Sequence, residues 1–180
     1  MSKTFTVKKI VFSAVLLALG LVMSMVKIID LPMGGSVTLL SMFFISLSGY
    51  WFGPSISIPV AICYGILQFA FNPYFLTFPQ FLCDYIFAFG SLGLSGFFYK
   101  QKYGLQIGYV VSVFGRFVFS FLSGMIFFAE YAEGSGYSAF IYSILYNGSY
   151  IGLEAAVTLI IIFLPPVRKA LSYVKKLALS

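Results

Sequence analysis

Residues 105–128 read LQIGYVVSVFGRFVFSFLSGMIFF, and this stretch decides the fold because Arg116 is the only charge in a long apolar run. About 20 such residues suffice for an α-helix to cross a bilayer. The whole chain of 180 residues has the same character, since 61% of it is hydrophobic and 9% is charged. A soluble domain is about 25% charged. The sequence therefore predicts an integral membrane protein.

Apolar runs on both sides of this stretch predict further helices. Gly53-Pro54 separates two of them and Pro165-Pro166 ends the last, because proline interrupts a helix. We predict an all-α integral membrane protein, a six transmembrane helix bundle that forms a single membrane domain over residues 1–180. Its helices are expected at roughly 9–27, 37–52, 55–71, 79–98, 105–128 and 137–164. The second is short for a span and is therefore expected to be tilted or partly unwound.

The basic residues predict the orientation of this bundle. They form three groups: Lys3, Lys8 and Lys9; Lys100 and Lys102; and Arg168, Lys169, Lys175 and Lys176. Because Lys and Arg mark cytoplasmic loops, the N and C termini and the connection at 99–103 are expected in the cytoplasm. The net charge is +6, but this distribution of the basic residues argues against nucleic acid as a binding partner.

Three charged residues lie well inside the apolar runs: Asp84, Arg116 and Glu154. A charge at membrane depth costs at least roughly 2.5–3.5 kcal/mol, so an interior polar site is expected. At 1.5 Å per residue, Asp84 lies roughly 8 Å from the outer end of its helix. Arg116 and Glu154 lie deeper, roughly 18 and 25 Å from the outer ends of their helices. We predict that Arg116 and Glu154 form a structural ion pair, with a ligand contact or a coupling role as the alternative. Asp84, which has no basic neighbour at its depth, is predicted to bind a ligand.

Polar and aromatic residues recur near the depth of Asp84. Tyr142 and Tyr146 are four residues apart on one helix face, Asn147 lies beside them, and Ser120 lies on the preceding helix. Together with Asp84 they predict a cage for a flat or cationic ligand. Plain packing remains the alternative for the tyrosines, and hydrogen bonding between helices remains the alternative for Asn147.

Other features limit the chemistry that the chain can perform. It has no histidine and no nucleotide-binding glycine loop, so we expect no metal, no cofactor and no enzymatic activity of its own. A ligand-binding subunit that takes its energy from a partner fits better than a small intramembrane enzyme or a structural subunit. Ala14 and Ala18 form a small-residue patch on the first helix, which either packs inside the bundle or docks on another membrane subunit.

Several segments resemble one known family over nearly the whole chain. They are Ala14-Val-Leu-Leu-Ala18, Leu31-Pro-Met-Gly-Gly-Ser-Val-Thr38, Asp84-Tyr85-Ile-Phe-Ala-Phe89, Gly115-Arg116-Phe117, Ser123-Gly124, Tyr142, Tyr146-Asn147-Gly-Ser-Tyr150 and Glu154. In this order and spacing they resemble the substrate-binding (S) components of energy-coupling factor (ECF) transporters, and among these the thiamine-specific S components.

This resemblance implies a multi-pass protein of the bacterial plasma membrane that captures thiamine from outside, in a pocket closed by the first loop. Asp84, Tyr85, Ser120, Phe128, Tyr142, Tyr146 and Asn147 are then the ligand-binding residues. The partners implied are a membrane scaffold subunit, on which Ala14 and Ala18 dock, and two cytoplasmic ATPases. Many members of the family carry a histidine where this chain has Ser120, so another vitamin or a thiamine precursor stays open as the ligand.

Overall fold

The computed structural model describes residues 6–179, so Lys3 lies outside the described part of the chain. Within it, seven helices account for nearly all of the regular structure: α1 (Val7–Met25), α2 (Ser41–Phe52), α3 (Pro54–Phe71), α4 (Phe78–Phe98), α5 (Gly104–Phe127), α6 (Ala139–Phe163) and α7 (Pro165–Leu179). One short hairpin joins α1 to α2, and its antiparallel strands are β1 (Lys27–Asp30) and β2 (Ser36–Thr38). The prediction of an all-α membrane protein is confirmed.

Five of these helices, α1, α3, α4, α5 and α6, are long and apolar enough to cross a membrane. The helix α2 has 12 residues and lies at the centre of the bundle, where it packs against α1, α3, α4 and α5. Nearly all of its side chains are buried. Because it meets protein on every side, a short helix suffices there, and its apolar residues need not form a single stripe.

The predicted second helix, 37–52, begins too early. Residues 36–38 form β2 instead, and Leu40 adopts a left-handed conformation with a φ of 59° directly before α2. β-branched residues such as Val37 and Thr38 favour a strand, and a left-handed residue cannot continue a right-handed helix. The first part of the predicted helix is therefore the second strand of a hairpin.

The helix α4 changes its winding along its length. Leu82–Phe87 is a π-helical turn, and Ser91–Phe98 is wound as a 3₁₀-helix. In the 3₁₀ part, glycine allows close packing on α3, because a Cβ added to Gly93 would lie 2.6 Å from the Cα of Ile58. π-turns within helices often occur at functional sites, and this one carries Asp84 and Tyr85.

The helix α7 lies across one end of the bundle and was not among the predicted helices. Its Lys175 places its Nζ 3.6 Å from the centroid of the Tyr50 ring and donates to the carbonyl oxygen of Tyr99 at 3.3 Å. Burial lowers the pKa of Lys175. These contacts fix α7 against the ends of α2 and α4.

Candidate ligand-binding cavity

A cavity of about 500 Å³ opens at the end of the bundle opposite α7. This volume lies within the usual range for small-molecule sites, roughly 300–1,000 Å³. The cavity is bounded by α3, α4, α5 and α6, by the tip of the β1–β2 hairpin, and by the connections that follow α3 and α5.

All seven residues that were predicted to bind the ligand line this one cavity: Asp84, Tyr85, Ser120, Phe128, Tyr142, Tyr146 and Asn147. They come from α4, α5, α6 and the residue that follows α5. Helical spacing predicted five of them although they are far apart in sequence, and the family resemblance added Tyr85 and Phe128.

The carboxylate of Asp84 is held from within its own helix. Gln80, which is fully buried, donates from Nε2 to Oδ2 of Asp84 at 2.6 Å. The same side chain accepts from the backbone N–H of Leu76 at 3.1 Å and donates to the carbonyl of Tyr74 at 3.3 Å. Gln80 thus connects the carboxylate to the loop between α3 and α4, and this loop forms part of the cavity wall.

Tyrosines from α6 form one wall of the cavity. The rings of Tyr142 and Tyr146 are parallel within 4°, with centroids 6.4 Å apart, and the ring of Tyr150 meets that of Tyr146 edge-on at 5.5 Å. The hydroxyl of Tyr150 donates to Oδ1 of Asn147 at 3.1 Å. The side chain of Asn147 also donates to the carbonyl of Ser120 on α5 at 3.2 Å, so it joins two helices and lines the cavity.

Two connections cover the mouth of the cavity. The hydroxyls of Tyr74 and Tyr131 are 3.2 Å apart, and the ring of Tyr74 lies 5.6 Å from that of Phe128. The hydrogen bond with Tyr131 raises the pKa of Tyr74. From the other side, Met33 and Gly34 at the hairpin tip line the cavity. The first loop therefore lies where the family resemblance implies a closing element.

Arg116 also lines this cavity, and the predicted ion pair with Glu154 is wrong. Among residues 6–179, no acidic side chain lies within ion-pair distance of its guanidinium, which lies 4.4 Å from the centroid of the Phe89 ring. Depth along the backbone does not give the position of the guanidinium, because a long arginine side chain reaches well beyond its own Cα. Arg116 and Asp84 consequently belong to one site.

Glu154 stabilises the start of α2 instead. Its carboxylate accepts hydrogen bonds from the hydroxyl of Thr38 at 2.5 Å, from the hydroxyl of Ser41 at 3.0 Å and from the backbone N–H of Met42 at 3.1 Å. The first N–H groups of a helix lack partners within the helix, and a negative charge there is favourable. A residue on α6 thereby caps a helix more than a hundred positions earlier in the chain.

Replacing Glu154 by glutamine should lower the free energy of unfolding by about 1–2 kcal/mol, because charge-assisted hydrogen bonds to buried donors become neutral ones. Thermal unfolding in detergent measures the change, and Glu133→Gln, at an exposed position, is the matched control. A double-mutant cycle with Arg116→Gln should give a coupling below about 0.5 kcal/mol. A coupling above about 1 kcal/mol would indicate that Arg116 and Glu154 form an ion pair after all.

Part of the cavity lining was not predicted from the sequence. Gln68, Asn72 and Tyr74 come from the end of α3 and the connection after it, Phe89 lies one turn after Tyr85, and Tyr131 follows α5. The four-residue spacing of Gln68 and Asn72 was a usable signal for two of these residues, because polar residues in apolar helices usually face the interior.

Ala14 and Ala18 are exposed on α1. The same side of the helix presents Val11, Val15 and Val22, which are each about half exposed. Within the described residues these two alanines do not pack inside the bundle, so that explanation of the small-residue patch is excluded. Lipid or another membrane protein covers the patch.

An apolar helical bundle with a ligand-sized cavity at one end defines a multi-pass membrane protein that binds a small molecule. Comparison with known proteins identifies the family. The chain belongs to the thiamine transporter protein family (Thia_YuaJ), whose model matches residues 10–173. The resemblance noted in the sequence is confirmed, and the protein is a transport protein of the bacterial cell membrane.

Two relatives illustrate the similarity. The thiamine transporter ThiT of Bacillus subtilis (strain 168) is 28% identical over 166 residues, which cover 83% of this chain and 85% of the relative. The solved structure of ThiT from Listeria monocytogenes superposes with a TM-score of 0.73 at 20% identity, over 88% of this chain and 94% of that one. The second comparison supports the fold alone.

Proposed function

We propose that the cavity binds thiamine. The observation that carries this proposal is the position of Asp84, a carboxylate held by Gln80 at 2.6 Å within a cavity lined by tyrosine and phenylalanine rings. Thiamine has a positively charged thiazolium ring and a flat aminopyrimidine ring. A carboxylate stabilises the positive charge of the thiazolium ring or accepts a hydrogen bond from the amino group of the aminopyrimidine ring. Aromatic side chains stack on both rings.

Each predicted ligand-binding residue fits one part of this task. Tyr85, Tyr142, Tyr146 and Phe128 supply aromatic surface around Asp84, and Asn147 supplies an amide at the α5–α6 contact. Ser120 is shorter than the histidine that the family resemblance implies at this position and cannot be protonated, so it leaves space on the α5 side of the cavity. A contact between Ser120 and the ligand would then run through a water molecule that takes the place of the missing ring.

The position of Arg116 limits how a cationic ligand can lie. Its charge repels a second cation in the same cavity, and the face of Phe89 stabilises the guanidinium only in part. The ligand cation is therefore expected on the Asp84 side, with a neutral, hydrogen-bonding edge of the ligand towards Arg116. This orientation is part of the proposal.

Isothermal titration of the purified protein in detergent with thiamine tests the function. We expect saturable binding with one site per chain, and weaker binding of the isolated aminopyrimidine half, which lacks the cationic ring. Equal binding of both would favour a thiamine precursor as the ligand. A failure to bind either compound in a folded sample would overturn the proposed function.

We propose further that the protein is the S component of an ECF transporter, with no enzymatic activity of its own. Uptake would then depend on a scaffold subunit and two ATPases in the cytoplasm. In this arrangement the chain crosses the membrane six times with both termini in the cytoplasm, and α2 forms a short central crossing. The exposed position of Ala14 and Ala18 on α1 supports a role as the docking surface, since small residues let two helices approach closely.

The double substitution Ala14→Leu/Ala18→Leu should reduce co-purification of co-expressed scaffold and ATPase subunits at least about fivefold, because larger side chains separate the helices. Thiamine affinity should change less than about twofold, since neither residue lines the cavity. The matched control is Ala70→Leu/Ala156→Leu, at two exposed alanines of α3 and α6. Equal co-purification of both double variants would contradict this docking surface.

A further inference from the structure

The helix α7 has two chemically different faces. Towards the bundle it presents Leu171, Val174, Lys175 and Ala178, at the i, i+3, i+4 and i+7 spacing of a packed helix face. Away from the bundle it presents exposed residues that line one groove along the helix: Arg168, Lys169, Ser172, Tyr173 and Lys176. The segment 165–179 contains no acidic residue, so the positive charge of this face is not neutralised within the helix.

The connection to α6 places this face at the membrane surface. The spanning helix α6 ends at Phe163, and α7 begins at Pro165. At 1.5 Å per residue, Arg168 lies only about 8 Å along the chain from the end of the span. The contacts of Lys175 with Tyr50 and Tyr99 hold α7 against the bundle end, so Arg168 and Lys169 stay near the end of the α6 span, where headgroups are expected in a bilayer.

The arrangement of the groove fits a phosphate group. Arg168, Ser172 and Lys176 follow one another at intervals of four residues and so form one row, with Lys169 and Tyr173 as a second row beside it. Arginine and lysine bind phosphate oxygens as charged donors, and the hydroxyls add neutral donors. Phe163 and Leu164, which are 57% and 46% exposed next to the groove, provide an apolar surface for acyl chains.

We propose that this groove binds an anionic phospholipid, with the headgroup phosphate between Arg168, Lys169 and Lys176 and the acyl chains against Phe163 and Leu164. Basic clusters that directly follow a membrane span or lie on an amphipathic helix attract anionic lipids. The adjoining apolar residues distinguish a lipid from free phosphate, which has no group to cover them. The inference is independent of thiamine binding, because the groove and the cavity lie at opposite ends of the bundle.

Native mass spectrometry of the purified protein tests this proposal by titration with phosphatidylglycerol or, separately, phosphatidylcholine. We expect the wild type to retain phosphatidylglycerol preferentially and Arg168→Gln/Lys169→Gln to reduce this preference about tenfold. The matched control is Lys100→Gln/Lys102→Gln, which removes two charges from the α4–α5 connection and should change it less than about twofold. The exchange Arg168→Lys/Lys169→Arg keeps both charges and should keep the preference.

Several results would overturn the proposal: equal retention of the two lipids by the wild type, an unchanged preference in Arg168→Gln/Lys169→Gln, or an equal loss in the control. If the double variant does not fold, the salt dependence of lipid retention by the wild type tests the proposal instead. The preference of the wild type should fall as ionic strength rises, because exposed charges are screened. A preference that is independent of salt would exclude a headgroup site on this exposed face.

Discussion

Replacing Asp84 by asparagine should weaken thiamine binding by roughly 10- to 100-fold, or about 1.4–2.8 kcal/mol. Asparagine has nearly the same size as aspartate and can still accept the hydrogen bond from Gln80. The substitution therefore removes the negative charge and leaves the cavity shape in place. With Arg116 in the same cavity, losing the carboxylate leaves a net positive site for a cationic ligand, and the affinity falls for this reason as well.

Isothermal titration measures this effect, with Asp30→Asn as the matched control. Asp30 lies in β1, is exposed, and accepts a hydrogen bond from the hydroxyl of Ser36 at 2.6 Å, which asparagine can also accept. The control should keep its affinity within about twofold. An Asp84→Asn variant that binds thiamine as tightly as the wild type would contradict the role given to this carboxylate.

Replacing Gly65 by alanine should lower the free energy of unfolding by roughly 3 kcal/mol, at the upper end of what overpacking costs. An added Cβ would overlap the carbonyl oxygen of Tyr85, so α3 and the π-turn of α4 must separate. Since Tyr85 and Asp84 line the cavity from this turn, thiamine affinity should fall together with stability. The thermal midpoint in detergent should drop by roughly 6–12 °C.

Gly152→Ala in α6 is the matched control for this substitution, because an added Cβ at that position would have no atom within 4 Å apart from the adjoining backbone of its own helix. The control should be neutral or slightly stabilising, since alanine favours a helix more than glycine does. If both variants unfold at the same temperature, the close contact of α3 with α4 does not limit stability.

Helical spacing predicted much of the cavity from the sequence. Polar residues such as Asp84, Tyr142 and Asn147 face the interior of a membrane bundle, whereas their apolar neighbours face lipid. The partners of the long charged side chains could not be predicted. Arg116 reaches towards Phe89, and its direction depends on packing between helices. The partner of Glu154 depends on where α2 begins, and that start was misplaced by a few residues.

Two elements could not be predicted from the sequence, for different physical reasons. The β1–β2 hairpin is too short to give a clear alternating pattern, and its β2 strand runs directly into an apolar helix. The helix α7 mixes basic and apolar residues after a double proline, so it does not form an apolar run. The fold class follows from composition and from the length of the apolar runs, whereas these elements depend on where the chain meets water, lipid and its own bundle.

The π-turn at Leu82–Phe87 has a consequence for how this protein can change over evolution. One extra residue in a turn rotates everything beyond it by about 100° around the helix axis. Residues beyond the turn, Gly93 among them, therefore face a direction different from the one that a continuous α-helix would give them. An insertion or deletion in this turn would rotate Gly93 away from Ile58, so we expect evolution to preserve the length of the turn while its side chains change.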